Sequence, residues 1–435
     1  MLKPTLQSRP QKTLQAGDAI LIVHYGDNWL RGSERCLLDM AQALLEQGLK
    51  PVVWCNAPCL QNALKTLGIE CHCSDMCILA GYRGQRGSIK NWLAQVGTGI
   101  ALIKQYKPRL VHINGAAPNQ WMRLATAITR TAQVVQLHAH YGVLKDRMTL
   151  GLHFSAYTIG VSHAAIRALA NDGIPRQQCP ILPNAIDATR LQRQPPVPLK
   201  KTLGIDKQAI LLLSVGSLIA RKGYAFLLHA VQQLNLKGHC VHLAIIGSGK
   251  EQNPLRELSQ ELHISHLIHF LGECNNAFGI MRGDVDALVS GAQDEVFGLV
   301  LAEANLAKLP VIAPNICGIN SVIKHRKTGW LYPANNSKAF AKAVLSLRCD
   351  SAWPVRINKA YYRANTVFSK VQHCQTLIQH YQTVLNTWDN TNLTKNTKNL
   401  WRSACLSLQL LSLRAGQKWS ALSFSRAPAS TEVSP

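Results

Sequence analysis

Short apolar runs, each closed by polar or glycine-containing turns, recur along the chain and alternate with stretches of helical periodicity. Ala19 to His24 (AILIVH) is apolar up to its last position, as a short strand would be. RGSER follows at residues 31–35. From Cys36 to Gln47 apolar residues then fall at helical spacing until Gly48 stops them. Pro51–Cys55 (PVVWC), Leu110–Ile113 and Val134–Leu137 read as further strands. Strand, turn and helix repeated in this order predict an α/β fold, with a parallel sheet covered by helices on both faces.

The pattern breaks at Gln194–Lys201 (QPPVPLKK), a proline-rich and basic stretch that suits a linker. It resumes with strand candidates at Ile210–Val215, Val241–Ile246, Ala287–Ser290 and Val311–Ala313. Two doubly wound, Rossmann-like domains are therefore expected, 1–195 and 196–365, followed by a closing helix at 366–386 and a basic tail at 387–435. A chain of 435 residues gives each domain its own core. Open α/β sheets bind ligands beyond the carboxyl ends of their strands, so two such domains face to face would make a cleft. In the tail, Leu400–Trp419 has the length and spacing for one amphipathic helix. A helix at a membrane interface, a helix packed on the protein and an unstructured tail all stay open there.

Composition narrows the setting. No apolar run approaches the roughly 20 residues that span a bilayer, and the first residues, MLKPTLQSRPQKTLQAGD, lack the apolar centre of a secretory signal. A cytoplasmic protein is expected. Thirteen cysteines fit that reducing compartment. Cys55, Cys59, Cys71, Cys73 and Cys77 crowd around His72, but their spacings lack the paired close intervals of a zinc site. Reduced, partly buried thiols are the expectation. A net charge of +24 draws polyanions. The basic residues are spread along the chain in short clusters such as Lys200-Lys201 and Arg221-Lys222, with no nucleic-acid-binding motif beside them. Charge alone suggests a polyanion, nucleic acid or an acidic membrane surface, and does not choose between them.

Candidate chemistry lies in the second half. In SVGSLIARKG (Ser214–Gly223) an apolar strand ends, Gly216 turns the chain, and Arg221 and Lys222 stand where the next helix begins. That arrangement suits a diphosphate, because helix N-termini present unpaired N–H groups and positive partial charge, to which the two side chains add full charges. In DEVFGLVLAEA (Asp294–Ala304), Glu295 and Glu303 lie eight residues apart with Phe297-Gly298 between them. Gly298 permits close backbone approach to a ligand. A helix starting there would aim its N–H groups at the diphosphate and leave Glu303 to accept from ribose hydroxyls. Read alone, the two glutamates fit an exposed helix face better.

VGSLIARKG, IGSGK at 246–250 and EVFGLVLAEANLAKLPVIA at 295–313 resemble, in order and spacing, the C-terminal half of family 4 retaining glycosyltransferases of the GT-B fold. The E-x7-E motif with its following PVIA is the most specific piece. RGSERCLLDMAQALLEQGLKPVV is similar to the family's Gly-Gly-x-Glu loop, helix and second strand, and VVQLHAH to its strand ending in histidine. ILPNAID, HRKTGWLYP and the FSK…HY helix match the segments around and after the domain crossing, so the resemblance covers about residues 19–385.

The resemblance implies a retaining transferase moving a sugar from a nucleotide-sugar donor to a glycan or lipid-linked acceptor, as in cell-surface polysaccharide or lipopolysaccharide synthesis. It puts Glu303 on the ribose, Glu295 on the transferred sugar, and the backbone of Phe297, Gly298 and Leu299 against sugar and phosphates. Lys222 falls on the lysine that neutralises the departing diphosphate, with Gly216, Arg221 and Gly247 in the same phosphate loops. His138 falls on the histidine facing the anomeric centre, and Gly32 on the first-domain loop against phosphates or acceptor. Neither cofactor nor metal is expected. Asp284-Val285-Asp286 has a D-x-D form, but it precedes the strand DALVS, where the family carries a structural aspartate. Ser217 and Arg31 depart from the family's arginine and glycine, and SGAQDEVFG is about two residues longer than the common loop without its usual proline. These departures leave room for a catalytically inactive binding protein of the same fold; a basic nucleic-acid-binding protein would not explain E-x7-E.

Overall fold

The computed structural model describes residues 13–81, 86–388, 400–401, 404–405 and 407–412. Among them the chain packs into two units. The first takes the residues up to Ile159, Ile166–Pro180, and those from Leu377 onward; the second takes Gly160–Ala165 and Ile181–Thr376. Residues 181–195, counted with the first domain in the sequence reading, thus pack in the second unit.

The first unit is built on six strands: β1 (Ala19–His24), β2 (Lys50–Cys55), β3 (Glu70–Cys73), β4 (Leu110–Asn114), β5 (Ala132–Leu137) and β6 (Thr158–Gly160). They lie in the order β3-β2-β1-β4-β5-β6. β1 pairs in parallel with β2 on one side and β4 on the other. Every residue of β1 is buried, as expected of a central strand covered on both faces. Helix α1 (Gly32–Glu46) begins where the Glu34 carboxylate accepts from the Arg31 N–H, and ends before Gly48. The order of strands reverses between β1 and β4, which makes their carboxyl ends the switch point of this sheet.

The second unit repeats the plan with β7 (Ile210–Val215), β8 (Val241–Ile246), β9 (Ile268–Gly272), β10 (Ala287–Val289), β11 (Val311–Pro314) and β12 (Trp330–Tyr332). Their order is β12-β11-β10-β7-β8-β9. β7 is central, paired in parallel with β8 and β10. Its Leu212 packs with Leu243, Val289 and the side chains of α2 (Tyr224–Leu236) in one apolar core. The switch point here is between β7 and β10. α3 (Leu299–Leu306) follows β10, and α4 (Lys370–Thr387) ends in the first unit, where the Tyr381 hydroxyl bonds His112 Nδ1 at 2.9 Å.

The eight strands expected from the sequence all form, within one or two residues of their expected bounds. β3, β6, β9 and β12 were not anticipated. Three to five residues suffice for a lateral strand, and ECHC or TIG carries no apolar run to announce it. The Asp284-Val285-Asp286 carboxylates serve the start of β10. Asp284 accepts from the Lys200 N–H at 3.0 Å, and Asp286 accepts from the Leu211 N–H and pairs with the Lys200 ammonium, both at 2.8 Å. All thirteen cysteines are free thiols, and Cys55 Sγ lies 3.7 Å from Cys71 Sγ on the neighbouring strand. Of the tail, the described part is helical, with Leu410 buried and Trp401 and Leu408 exposed. Residues 413–419 of the expected amphipathic helix lie outside the described residues. Among the described residues no helix is long and apolar enough to cross a membrane.

Candidate functional site

In the second unit the residues singled out by the sequence converge at the switch point. β7 delivers the chain to Gly216, and a single 3-10 turn, Ala220–Lys222, precedes α2. The loop after β8 is clasped to this turn: Gly216 N–H donates to Ile246 O at 2.9 Å and Leu218 N–H to Ser248 O at 2.8 Å. Gly247 has φ +139°, and a Cβ there would stand 2.0 Å from Gly216 O, so only glycine lets the two phosphate-loop candidates touch.

From the other side of the switch point, the loop after β10 brings Glu295 to Lys222. The ammonium lies 2.5 Å from Glu295 Oε2, with the two side chains 21% and 16% exposed. Burial alone would push the Glu295 carboxyl up. The Lys222 charge and hydrogen bond, the nearby Arg221 charge and the Val296 N–H outweigh it, and the carboxyl sits below its ordinary value. Arg221 is exposed, and its guanidinium donates to Asp294 O at 3.1 Å while its own carbonyl accepts from Gln293 N–H. Both basic residues therefore brace the loop that carries Glu295. The Ser162 hydroxyl, also in the second unit, donates to Val296 O at 2.6 Å and holds the same loop.

α3 begins where the sequence placed it. Gly298 has φ +87°, a left-handed conformation that turns the chain into the helix directly after Phe297. Phe297 is itself buried, its ring edge-on to Phe368 at 5.6 Å, so its side chain fixes the loop and leaves only its backbone to face outward. Leu299 opens α3, whose first N–H groups lack partners within the helix. Glu303 lies one turn further on and is half-buried. A recess at the switch point is lined by Ser214, Lys222, Tyr224, Ser290, Glu295 and Gly298, among others. Tyr224 and Ser290 were not singled out as site residues, although Ser290 opens the SGAQDEVFG segment; the pairing of β7 with β10 brings them to one recess.

His138 and Gly32 belong to the first unit. Gly32 is the first residue of α1, and a Cβ added there meets nothing within 4 Å. No internal contact demands glycine at that position. Arg31, in place of the family's glycine, has an extended backbone (φ −109°) and lays its guanidinium over the Trp29 ring at 4.1 Å. His138 directly follows β5, and its Nε2 lies 2.8 Å from Asn114 Oδ1, at the end of β4. Asn114 in turn meets His24, at the end of β1. Three adjacent strands thus end in polar side chains that touch. The sequence showed each apolar run closing on a polar residue, but not that the runs are neighbours.

Two Rossmann-like units, each with its polar groups at the switch point, define the GT-B class of α/β proteins. Residues 30–190 match the profile described as Glycosyltransferase Family 4, and residues 198–363 match Glycosyl transferases group 1. The lipopolysaccharide core biosynthesis glycosyltransferase LpsD of Rhizobium meliloti is 29% identical over 170 residues, 39% of this chain and 48% of that protein. The N-acetyl-alpha-D-glucosaminyl L-malate synthase of Bacillus anthracis is 26% identical over 207 residues, 48% of this chain and 54% of that protein. The chain therefore spans about half the length of these curated relatives. Anabaena Alr3699/HepE, solved in complex with UDP, shares the fold with a TM-score of 0.71 and 19% identity, over 84% of this chain and 100% of its own. The protein belongs to the family 4, group 1 glycosyltransferases.

Proposed function

We propose that this protein is a retaining glycosyltransferase that moves a sugar from a nucleotide-sugar to a glycan or lipid-linked acceptor, in cell-surface polysaccharide or lipopolysaccharide synthesis. The observation that carries the reading is the Lys222–Glu295 contact across the switch point of the second sheet, flanked by the Gly216 and Gly247 loops and by the start of α3. The names of relatives in lipopolysaccharide core and colanic acid synthesis support the pathway class.

In this reading the diphosphate lies against the Gly216 turn, Gly247 and the first N–H groups of α3, with Lys222 and Arg221 supplying positive charge. The bond between the anomeric carbon and the phosphate oxygen breaks with its electron pair going to the diphosphate. An acceptor hydroxyl oxygen takes its place on the same face of the sugar and passes its proton to the departing diphosphate. Fixed cations and oriented N–H groups stabilise the charge that develops on the leaving group, and no metal ion is assigned a part. Glu303 accepts from the ribose hydroxyls; Glu295 and the backbone of Phe297, Gly298 and Leu299 meet the sugar and phosphates. The family resemblance assigns His138 to the sugar or acceptor and Gly32 to the close approach of phosphates or acceptor. The work is assigned to the inner face of the plasma membrane, where a protein of charge +24 is attracted to anionic lipid.

The test is a saturation-transfer NMR screen of UDP-, GDP-, ADP- and dTDP-sugars in the presence of EDTA, followed by a turnover assay with the bound donor. One donor is expected to bind, and Glu303→Ala and Lys222→Ala each to weaken it. Binding of no nucleotide-sugar, or of all four equally well to both variants, rejects the proposal.

A further inference from the structure

His239, Cys240 and His242 stand at the start of β8, and His263, His266 and His269 at the start of β9. No motif of the phosphate site uses these six residues, which lie at the amino ends of the two strands, opposite the Gly247 loop. Side chains along β8 alternate. Val241, Leu243 and Ile245 enter the apolar core of the second unit, which leaves Cys240 and His242 on the other face. β9 joins that face in the same way: Ile268 packs in the core, in register with Leu243, and His269 is in register with Ala244. Cys240 is exposed, and His242 and His269 are half-buried.

Cys240 Sγ lies 3.8 Å from His242 Nε2, and His242 Nδ1 lies 3.1 Å from His269 Nε2. Zinc bonds thiolate sulfur at about 2.3 Å and imidazole nitrogen at about 2.0–2.1 Å, so a tetrahedral ion needs the first two atoms roughly 3.6 Å apart. A closure of about 0.2 Å supplies that spacing. The two rings meet differently. They are 19° from parallel with centroids 5.4 Å apart, so the facing nitrogens share one N–H edge to edge and do not converge on an ion. An ion at His242 Nε2 takes that lone pair and leaves the ring proton on Nδ1, which donates it to His269 Nε2. A metal-bound histidine ordinarily has such a partner for its second nitrogen. Burial and the His266 charge hold His242 below the ordinary histidine value, and burial and His242 do the same for His269. The backbone is fixed around the pair. Cys240 O accepts from the Ile210 N–H at 2.9 Å, and the Asn235 amide donates to Val241 O and accepts from the Val241 N–H.

The geometry points to a binding site for a divalent cation of the zinc class, with the Cys240 thiolate and His242 Nε2 as its protein ligands and His269 as the partner that orients His242. Sulfur and imidazole together select such an ion over magnesium or calcium. Binding displaces the thiol proton of Cys240 to solvent. Among the described residues no group of three or more His, Cys, Asp or Glu side chains stands at ligand spacing, so water completes the shell. A dissociation constant on the order of 10 μM is expected for two protein ligands. The site lies at the far end of the strands from the assigned donor site and is independent of the transferase reading.

The test is titration of the reduced full chain with Co(II) and then Zn(II), followed by absorption. The wild type is expected to develop a thiolate-to-cobalt charge-transfer band that Zn(II) bleaches. Cys240→Ser should lose this band, while Cys71→Ser, in the thiol group around His72, should keep it. His242→Gln and His269→Gln are each expected to weaken Co(II) binding about 10-fold or more. Zinc-edge X-ray absorption should show one sulfur at about 2.3 Å among nitrogen and oxygen neighbours. Cys240 is exposed, so its serine variant is expected to keep the wild-type melting temperature in EDTA. A band and affinity unchanged in Cys240→Ser or in His242→Gln overturn the site, and an affinity unchanged in His269→Gln overturns the orienting role. The titration needs neither donor nor turnover, so a protein without transferase activity would reject the proposed function and still decide this point.

Discussion

The Lys222 ammonium sits 2.5 Å from the Glu295 carboxylate although 73 positions separate them in sequence, because β7 and β10 are neighbours in the second sheet. One bond therefore ties the loops after both strands. Replacing the cation is expected to cost on two fronts. Lys222→Met should lower kcat by about 100-fold or more at saturating donor, the loss expected when one fixed stabiliser of a leaving-group charge is removed. It should also destabilise the fold by roughly 1–3 kcal/mol, because Glu295 keeps its charge with fewer partners. Urea unfolding beside steady-state kinetics separates the two.

The same pair sets an acid limit. The folded Glu295 carboxyl titrates below the 4.5 of a free glutamate, so the unfolded chain binds the proton first as pH falls. Its stabilisation is complete above pH 4.5 and is lost as pH drops through the lower folded value. Unfolding midpoints measured from pH 6 downward, on the order of half a unit apart, should fall less steeply in Lys222→Met than in wild type. Parallel slopes would show that Lys222 does not set this carboxyl.

Gly247 and Gly32 should answer alanine in opposite ways. A methyl at Gly247 meets the Gly216 carbonyl at 2.0 Å in a left-handed conformation, so Gly247→Ala is expected to cost at least about 2 kcal/mol and to weaken nucleotide binding. At Gly32 nothing lies within 4 Å and the residue is helical, so Gly32→Ala should leave the melting temperature unchanged or raise it. A fall in turnover there, without loss of stability, marks the place where substrate approaches.

Phe297 is a buried anchor whose ring packs on Phe368. Phe297→Ala is expected to destabilise by about 3–5 kcal/mol and to raise donor KM, since the Gly298 turn loses its support. Phe297→Leu, which refills most of the space, should recover both. Recovery of stability with no recovery of KM would mean that the ring itself faces the donor.

Arg221 stands four positions beyond Ser217, the place where the family resemblance sets an arginine. It is exposed and braces Asp294 O, which leaves its charge beside the Lys222–Glu295 pair. Arg221→Ala is expected to weaken donor binding several-fold, on the scale of about 1 kcal/mol for a partly solvated charge–phosphate contact. Donor affinity equal to wild type, measured by calorimetry, would show that nothing replaces the missing arginine.

The sequence alone determined the α/β class and the strands that bury both faces, because a run such as ILLLSV has few ways to leave water. It also singled out the candidates for phosphate chemistry, because glycines and basic side chains at a strand end are dictated locally by backbone freedom and charge. It could not say which strands are neighbours. β1 touches β4 and β7 touches β10 through crossovers that skip intervening strands, and long-range pairing leaves no periodic trace. Only the tertiary structure, therefore, brought Lys222 to Glu295, His24 to Asn114 and Asn114 to His138. Each polar group was visible as a residue, and its meaning lay in the strand beside it.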